Sequence, residues 1–162
     1  VLEVMRDQVE AQTRPYVTAT VKVQPNDSVL FLEIENIGHS PALNLRLQID
    51  KDFYPNAESA QASLKELYLF KEPIVALAPG SRISLLLGTS STVLNTAENV
   101  CPKVFGVASE YSFGNQKYSE SQTIDIRCFR GTVARKEPIS AELKAELKLI
   151  SPDNYLGIQM VH

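Results

Sequence analysis

The chain has 162 residues, 44% hydrophobic and 22% charged, with a net charge of -3. That suits one folded domain with a sizeable core, and excludes a disordered or fibrous chain. It offers no basic face for nucleic acid, no apolar run near the ~18 residues that would span a bilayer, and, with two cysteines and two histidines, little material for a metal centre or a disulfide framework.

Residues 1–14, VLEVMRDQVEAQTR, carry Leu2, Met5 and Val9 three and four apart, which predicts a helix. Pro15 ends it, because the residue before a proline is steered out of the helical region. The helix either docks on the domain or is juxtamembrane, continuing a transmembrane segment upstream of Val1. In the second case Arg6 and Arg14 weakly favour a cytoplasmic domain, although Glu3, Asp7 and Glu10 offset them in net charge.

After Pro15 the period becomes two. Val17, Ala19, Val21 and Val23 share one face of a strand, and Gln24–Ser28 is a turn cluster. Residues 29–36 follow as a strand with Leu30, Leu32 and Ile34 inward. Asn36–Pro41 is a tight corner in which Gly38 is free to take a positive φ. Residues 43–50 alternate without a fault, placing Leu43, Leu45, Leu47 and Ile49 inward.

The composition of 57–67 predicts a short helix capped by Asn56, and Leu67–Phe70 a short strand. Pro73–Leu77 leads into the turn Ala78-Pro79-Gly80-Ser81, and residues 82–87 form a core strand. Gly88–Asn99 is polar and predicts an exposed loop. Strands 104–113 and 117–128 flank Gly114-Asn115, a dipeptide suited to a type II′ hairpin. That register opposes Tyr111 to Tyr118, Phe105 to Ile124 and Cys101 to Cys128. Ile139, Leu143, Leu147 and Ile150 predict a second helix over 138–150, whose like charges at i,i+4 make it depend on burying that stripe.

About seven strands without βα alternation imply a mainly β chain: an antiparallel, immunoglobulin-like β-sandwich over 15–130. The N-terminal helix 1–14 flanks it on one side, and a C-terminal helix and tail over 131–162 on the other. Two motifs carry a resemblance. Asn36-Ile37-Gly38-His39-Ser40-Pro41-Ala42 resembles the N-x-G-x-x-x-A corner of bacterial immunoglobulin-like domains of the CARDB type. Leu77-Ala78-Pro79-Gly80 resembles the L-x-P-G turn before a later core strand of those domains. Together with Met5–Tyr16, including Arg14-Pro15-Tyr16, the corner is also similar to small bacterial proteins of unknown function. The resemblance implies, for these, one N-terminal transmembrane helix, a juxtamembrane helix and a sandwich. It covers about residues 5–130 and implies nothing about activity.

Candidate chemistry is sparse. His39 has only His162 as a fellow histidine, so no metal set forms around it, and it reads as a solvent-exposed loop residue. Cys101 and Cys128 either form a cross-strand disulfide, if the register extends that far, or stay reduced. No histidine is placed to make either one a nucleophile. Asp50-Lys51-Asp52 and Glu3, Asp7 and Glu10 lack calcium-loop spacing and read as solvated charge. No nucleophile elbow or phosphate cradle is present. Tyr54, Tyr68 and Phe70 read as core packing, with a ligand or partner surface as the alternative. The expectation is a non-catalytic interaction or scaffold domain of a membrane-anchored bacterial protein, without cofactor, metal or nucleic acid. Helices 1–14 and 138–150 are its candidates for homo-oligomer contacts. The alternative is a soluble binding module for a sugar or another small ligand, with an exposed aromatic such as Tyr54 in a concave site.

Overall fold

Seven strands form where the chain alternates, in a computed structural model that describes residues 1–24 and 27–131. They are β1 (Val17–Gln24), β2 (Val29–Asn36), β3 (Ala42–Ile49), β4 (Ile74–Leu77), β5 (Arg82–Thr89), β6 (Val104–Phe113) and β7 (Gln116–Asp125). Every pairing is antiparallel, in two sheets ordered β1-β2-β5 and β4-β3-β6-β7. This is the expected fold class: a mostly β, two-sheet antiparallel chain with an N-terminal helix, α1 (Leu2–Thr13). The predicted helix 138–150, His162 and the Pro25-Asn26 part of the first turn lie outside the described residues. Among those described, no helix is long and apolar enough to cross a membrane.

The inward face of each strand builds one core. Val17, Leu30, Leu32, Ile34, Leu45, Leu87, Phe105 and Val107 are almost completely buried, each such side chain contributing roughly 1.5–3 kcal/mol relative to exposure. The β6–β7 register opposes Tyr111 to Tyr118 and Phe105 to Ile124, as the hairpin pattern requires. Gly114 supplies the positive φ, 59°, at the first turn position.

Several local expectations give way to tertiary demands. Leu43 faces outward and Ala42 inward, because Asn44 has φ 50° and the β3–β6 register shifts between Leu43 and Arg46; one bulged residue inverts the alternation before it. The helix predicted for 57–67 is absent. Asn56 and Ala57 both have positive φ, which stops a right-handed helix. Short 3-10 turns at Pro55–Ala57 and Leu64–Glu66 instead deliver Phe53 and Leu64 to the core. Leu67–Phe70 is not a strand: Tyr68–Lys71 makes the single-turn helix α2. The segment after Gly88 is not simply an exposed loop, because β5 runs to Thr89 and α3 (Ser90–Leu94) buries Val93 and Leu94. Finally, β7 stops at Asp125, short of the predicted 128.

The registers sort the connections onto two poles. Val17, Asn36, Ala42, Leu77, Arg82 and the β6–β7 turn lie at one pole. The segments 50–72 and 90–103 close the other, where Phe53 packs on Phe105 with ring centres 5.6 Å apart. Helix α1 meets the sandwich at the first pole.

Candidate functional site: the joint between helix and sandwich

The densest polar construction in the described residues is built around Asn36, the last residue of β2, which is fully buried. Its Oδ1 accepts from the backbone N–H of Tyr16 (3.1 Å) and of Gly38 (3.0 Å). Its Nδ2 donates to the carbonyls of Ser40 (2.8 Å) and Leu77 (3.0 Å). The side-chain amide thereby uses its full donor and acceptor capacity. Its own backbone N–H donates to Ser81 O and its carbonyl accepts from Gly80 N–H. Its side chain thus ties the entry to β1, the Asn36–Pro41 corner and the end of β4 together, and its backbone adds the Pro79-Gly80 turn.

The same corner receives the end of α1. A helix leaves its last carbonyls without intrahelical donors. Here the Ser40 hydroxyl donates to Thr13 O, and His39 N–H donates to Arg14 O at 3.3 Å. Ile37 N–H donates to Tyr16 O at 2.8 Å. Gly38 does not have the positive φ its position suggested. It is needed because a Cβ there would collide with the carbonyl oxygen of Arg14. The requirement is close backbone approach rather than turn geometry.

A second set of contacts clamps Arg14 against β7. Its Nη2 pairs with Glu120 Oε1, and its guanidinium carbon lies 4.6 Å from the ring centre of Tyr118 and 5.3 Å from that of Tyr16. Tyr118 stacks on Tyr111 at 5.7 Å, and its hydroxyl donates to Glu10 on α1 at 3.5 Å. The Tyr111 hydroxyl accepts from Val17 N–H (3.2 Å) and donates to Glu120 (3.4 Å). Gln122 Oε1 accepts from Ala19 N–H at 2.9 Å. Burial opposes the Arg14 charge, but Glu120 and Tyr111 outweigh it and hold its pKa above the ordinary value. Burial raises Tyr111, with Glu120 adding to it against the Val17 amide and Arg14. Burial likewise raises Tyr118, with Glu10 adding to it.

Beyond this clamp α1 is bare. It has no buried residue; Leu2 is 84% exposed, Met5 59% and Val9 58%. The apolar stripe read from the sequence therefore stays largely exposed, while the C-terminal end of the helix is locked. Chemically the cluster offers fixed orientation: Arg14 is held by Glu120, Glu10 by the Tyr118 hydroxyl and Thr13 O by the Ser40 hydroxyl across the joint.

The other residues singled out in the sequence are scattered. His39 is exposed. Cys101 and Cys128 are free thiols, the first buried and the second exposed. The ladder that would oppose them ends at the pair Val104–Asp125, and the Cys101 thiol donates to Tyr54 O at 3.4 Å. Burial pushes that thiol's pKa up, against the pull of Lys103. Asp50 and Asp52 are more than solvated charge: Asp50 Oδ1 accepts from Gly106 N–H (2.8 Å) and Asp52 Oδ1 from the Ser63 hydroxyl (3.0 Å). Phe70 is half-buried against the core, Tyr54 is half-buried and Tyr68 is 75% exposed. No group of three or more His, Cys, Asp or Glu is placed to hold a metal among the described residues. Sequence reasoning missed the roles of Asn36, Arg14 and Glu120. The available signal was the hairpin register, which sets Tyr118 opposite Tyr111 with Glu120 on the same face.

A family model described as a domain of unknown function (DUF8453) matches residues 1–130, a span that takes in α1, the joint and the sandwich. No curated protein and no solved structure matches the chain.

Proposed function

We propose that the chain, which belongs to the DUF8453 family, is a non-catalytic interaction domain carried on a helical stalk from a membrane anchor upstream of Val1, its sandwich related to bacterial immunoglobulin-like modules of the CARDB type. One observation carries this: α1 leaves the sandwich with its apolar side chains uncovered, yet its C-terminal end is fixed by Ser40, His39 and the Arg14 clamp. A helix of ~12 residues is marginal in water by itself, so rigid attachment at one end suits an element that continues into something else. The titratable groups of the cluster are engaged in holding the joint, which supports a positioning role rather than bond-making chemistry. Arg6 and Arg14 favour the cytoplasmic face for the sandwich.

The test is fractionation of cells making the protein from its natural gene. The proposal expects it in the membrane pellet after an alkaline carbonate wash and in solution after detergent. Protease added outside intact spheroplasts should leave the sandwich uncut. Recovery in the soluble fraction before any detergent would overturn the anchor.

A further inference from the structure

Strand edges are a liability that folded chains usually blunt with charge, proline or covering groups. Three of the four edges here are treated that way. On β1 the outward N–H groups of Val17 and Ala19 are capped by Tyr111 and Gln122. Strand β4 is only four residues long and lies between Pro73 and Pro79. Strand β7 carries Lys117, Glu120 and Asp125.

Strand β5 is different. After Arg82 it runs Ile83-Ser84-Leu85-Leu86-Leu87-Gly88-Thr89 without a charge or a proline. The bond from Asn36 N–H to Ser81 O sets the alternation of its backbone groups. Ile83 and Leu85 face their β2 partners Ile34 and Leu32, so Arg82, Ser84 and Leu86 turn their N–H and C=O groups to the free side. Among the described residues no hydrogen bond meets them. Ile83 and Leu85 pack on the core but stay only partly buried, and Leu86 is 40% exposed.

We propose that β5 pairs antiparallel with β5 of a second copy of this chain, about a two-fold axis at Ser84. That register is self-complementary. Ser84 opposes Ser84 and Arg82 opposes Leu86, each pair exchanging both of its N–H···O bonds, so the three residues with outward backbone groups are all satisfied. Ile83 then opposes Leu85 on the inward face and covers the half-buried rim of the core. Arg82, the one charge on the strand, meets the exposed Leu86 rather than another arginine, and its aliphatic stem lies along that side chain. The result is a continuous sheet running β1-β2-β5-β5-β2-β1. A two-fold of this kind turns the sandwiches end for end, so the two α1 helices leave from opposite poles. Pairing does not depend on the anchor.

Sedimentation velocity of the full chain over a wide concentration series tests this, with circular dichroism and urea melts confirming that each variant folds. A reversible monomer–dimer equilibrium is expected. Ser84→Pro removes an outward N–H while leaving the β2-facing bonds of Ile83 and Leu85 in place, and should abolish the dimer. Leu86→Lys sets a lysine opposite Arg82 twice per dimer and should raise the dissociation constant roughly tenfold. Leu86→Glu sets a carboxylate there and should leave the dimer as tight as, or tighter than, the parent. Contacts that merely bury a greasy side chain would be weakened equally by both substitutions at Leu86, and that result overturns the register. A chain that stays monomeric at every concentration, or a dimer indifferent to Ser84→Pro, overturns the pairing itself. In a monomer, slow amide exchange at Ser84 and Leu86 would assign the edge to another part of the same chain.

Discussion

The guanidinium of Arg14 sits 4.6 Å from the ring centre of Tyr118 while its Nη2 pairs with Glu120, two residues further along the same strand. One cation thus meets a ring face and a carboxylate on the inward side of β7. Because Arg14 is the C-cap residue of α1, this contact sets how the helix leaves the sandwich. Both partners of the ion pair are mostly shielded, at 28% and 20% side-chain exposure, so it is worth more than a free surface pair.

Replacing Arg14 with alanine should lower unfolding free energy by about 1–2 kcal/mol, combining the ring contact with a charge-assisted bond. Arg14→Lys should recover less than half of it, because an ammonium lacks the planar surface that stacks and the fork that pairs. Urea titration reads this as a lower midpoint at unchanged slope. Hydrogen exchange should quicken in α1 and at the Val17 and Ala19 amides.

At the corner, Asn36→Leu should cost about 3 kcal/mol or more, since it removes the partner of the buried carbonyls of Ser40 and Leu77 and of the part-buried amides of Tyr16 and Gly38. Gly38→Ala should cost about 1–3 kcal/mol or more through the collision with Arg14 O. His39→Ala, one residue on and exposed, should stay within ~0.5 kcal/mol. Thermal melts of the three variants side by side check the ranking; equal effects at positions 38 and 39 would contradict the close-approach account.

Alkaline pH should loosen the fold through its stacked tyrosines. Tyr111 and Tyr118 both hold their protons to higher pH in the folded chain than an ordinary tyrosine does. Above the unfolded-state pKa the unfolded chain binds fewer protons than the folded one, so unfolding gains. The stabilisation is complete below the ordinary tyrosine pKa of about 10 and is lost as pH rises through the raised folded values. Urea midpoints measured across that range should fall, and Tyr118→Phe should flatten the decline.

In the far pole, Phe53→Ala should cost about 3–5 kcal/mol, because Phe53 is fully buried against Phe105. Tyr68→Ser, also in the irregular 50–72 segment, should change stability by less than about 0.5 kcal/mol, as Tyr68 is largely exposed. Calorimetry of the two variants separates the aromatic that fills the core from the one that faces water.

The long alternating strands, the hairpin register and the apolar stripe of α1 are legible in the sequence because they rest on near-neighbour periodicity; that the stripe stays exposed is decided by the tertiary structure. Alternation at Val17–Val23 or Val104–Phe113 is a property of consecutive residues, and the Gly114-Asn115 turn then fixes which residues face one another. The Asn36 network is different in kind. Its side chain bonds to positions 16, 38, 40 and 77, which come together only when both sheets are in place. The outward turn of Leu43 depends on a left-handed Asn44, and the burial of Phe53 depends on a segment whose composition favours helix. Both are decided by what the packed core requires. The open edge of β5 likewise follows from strand order, which no local pattern contains.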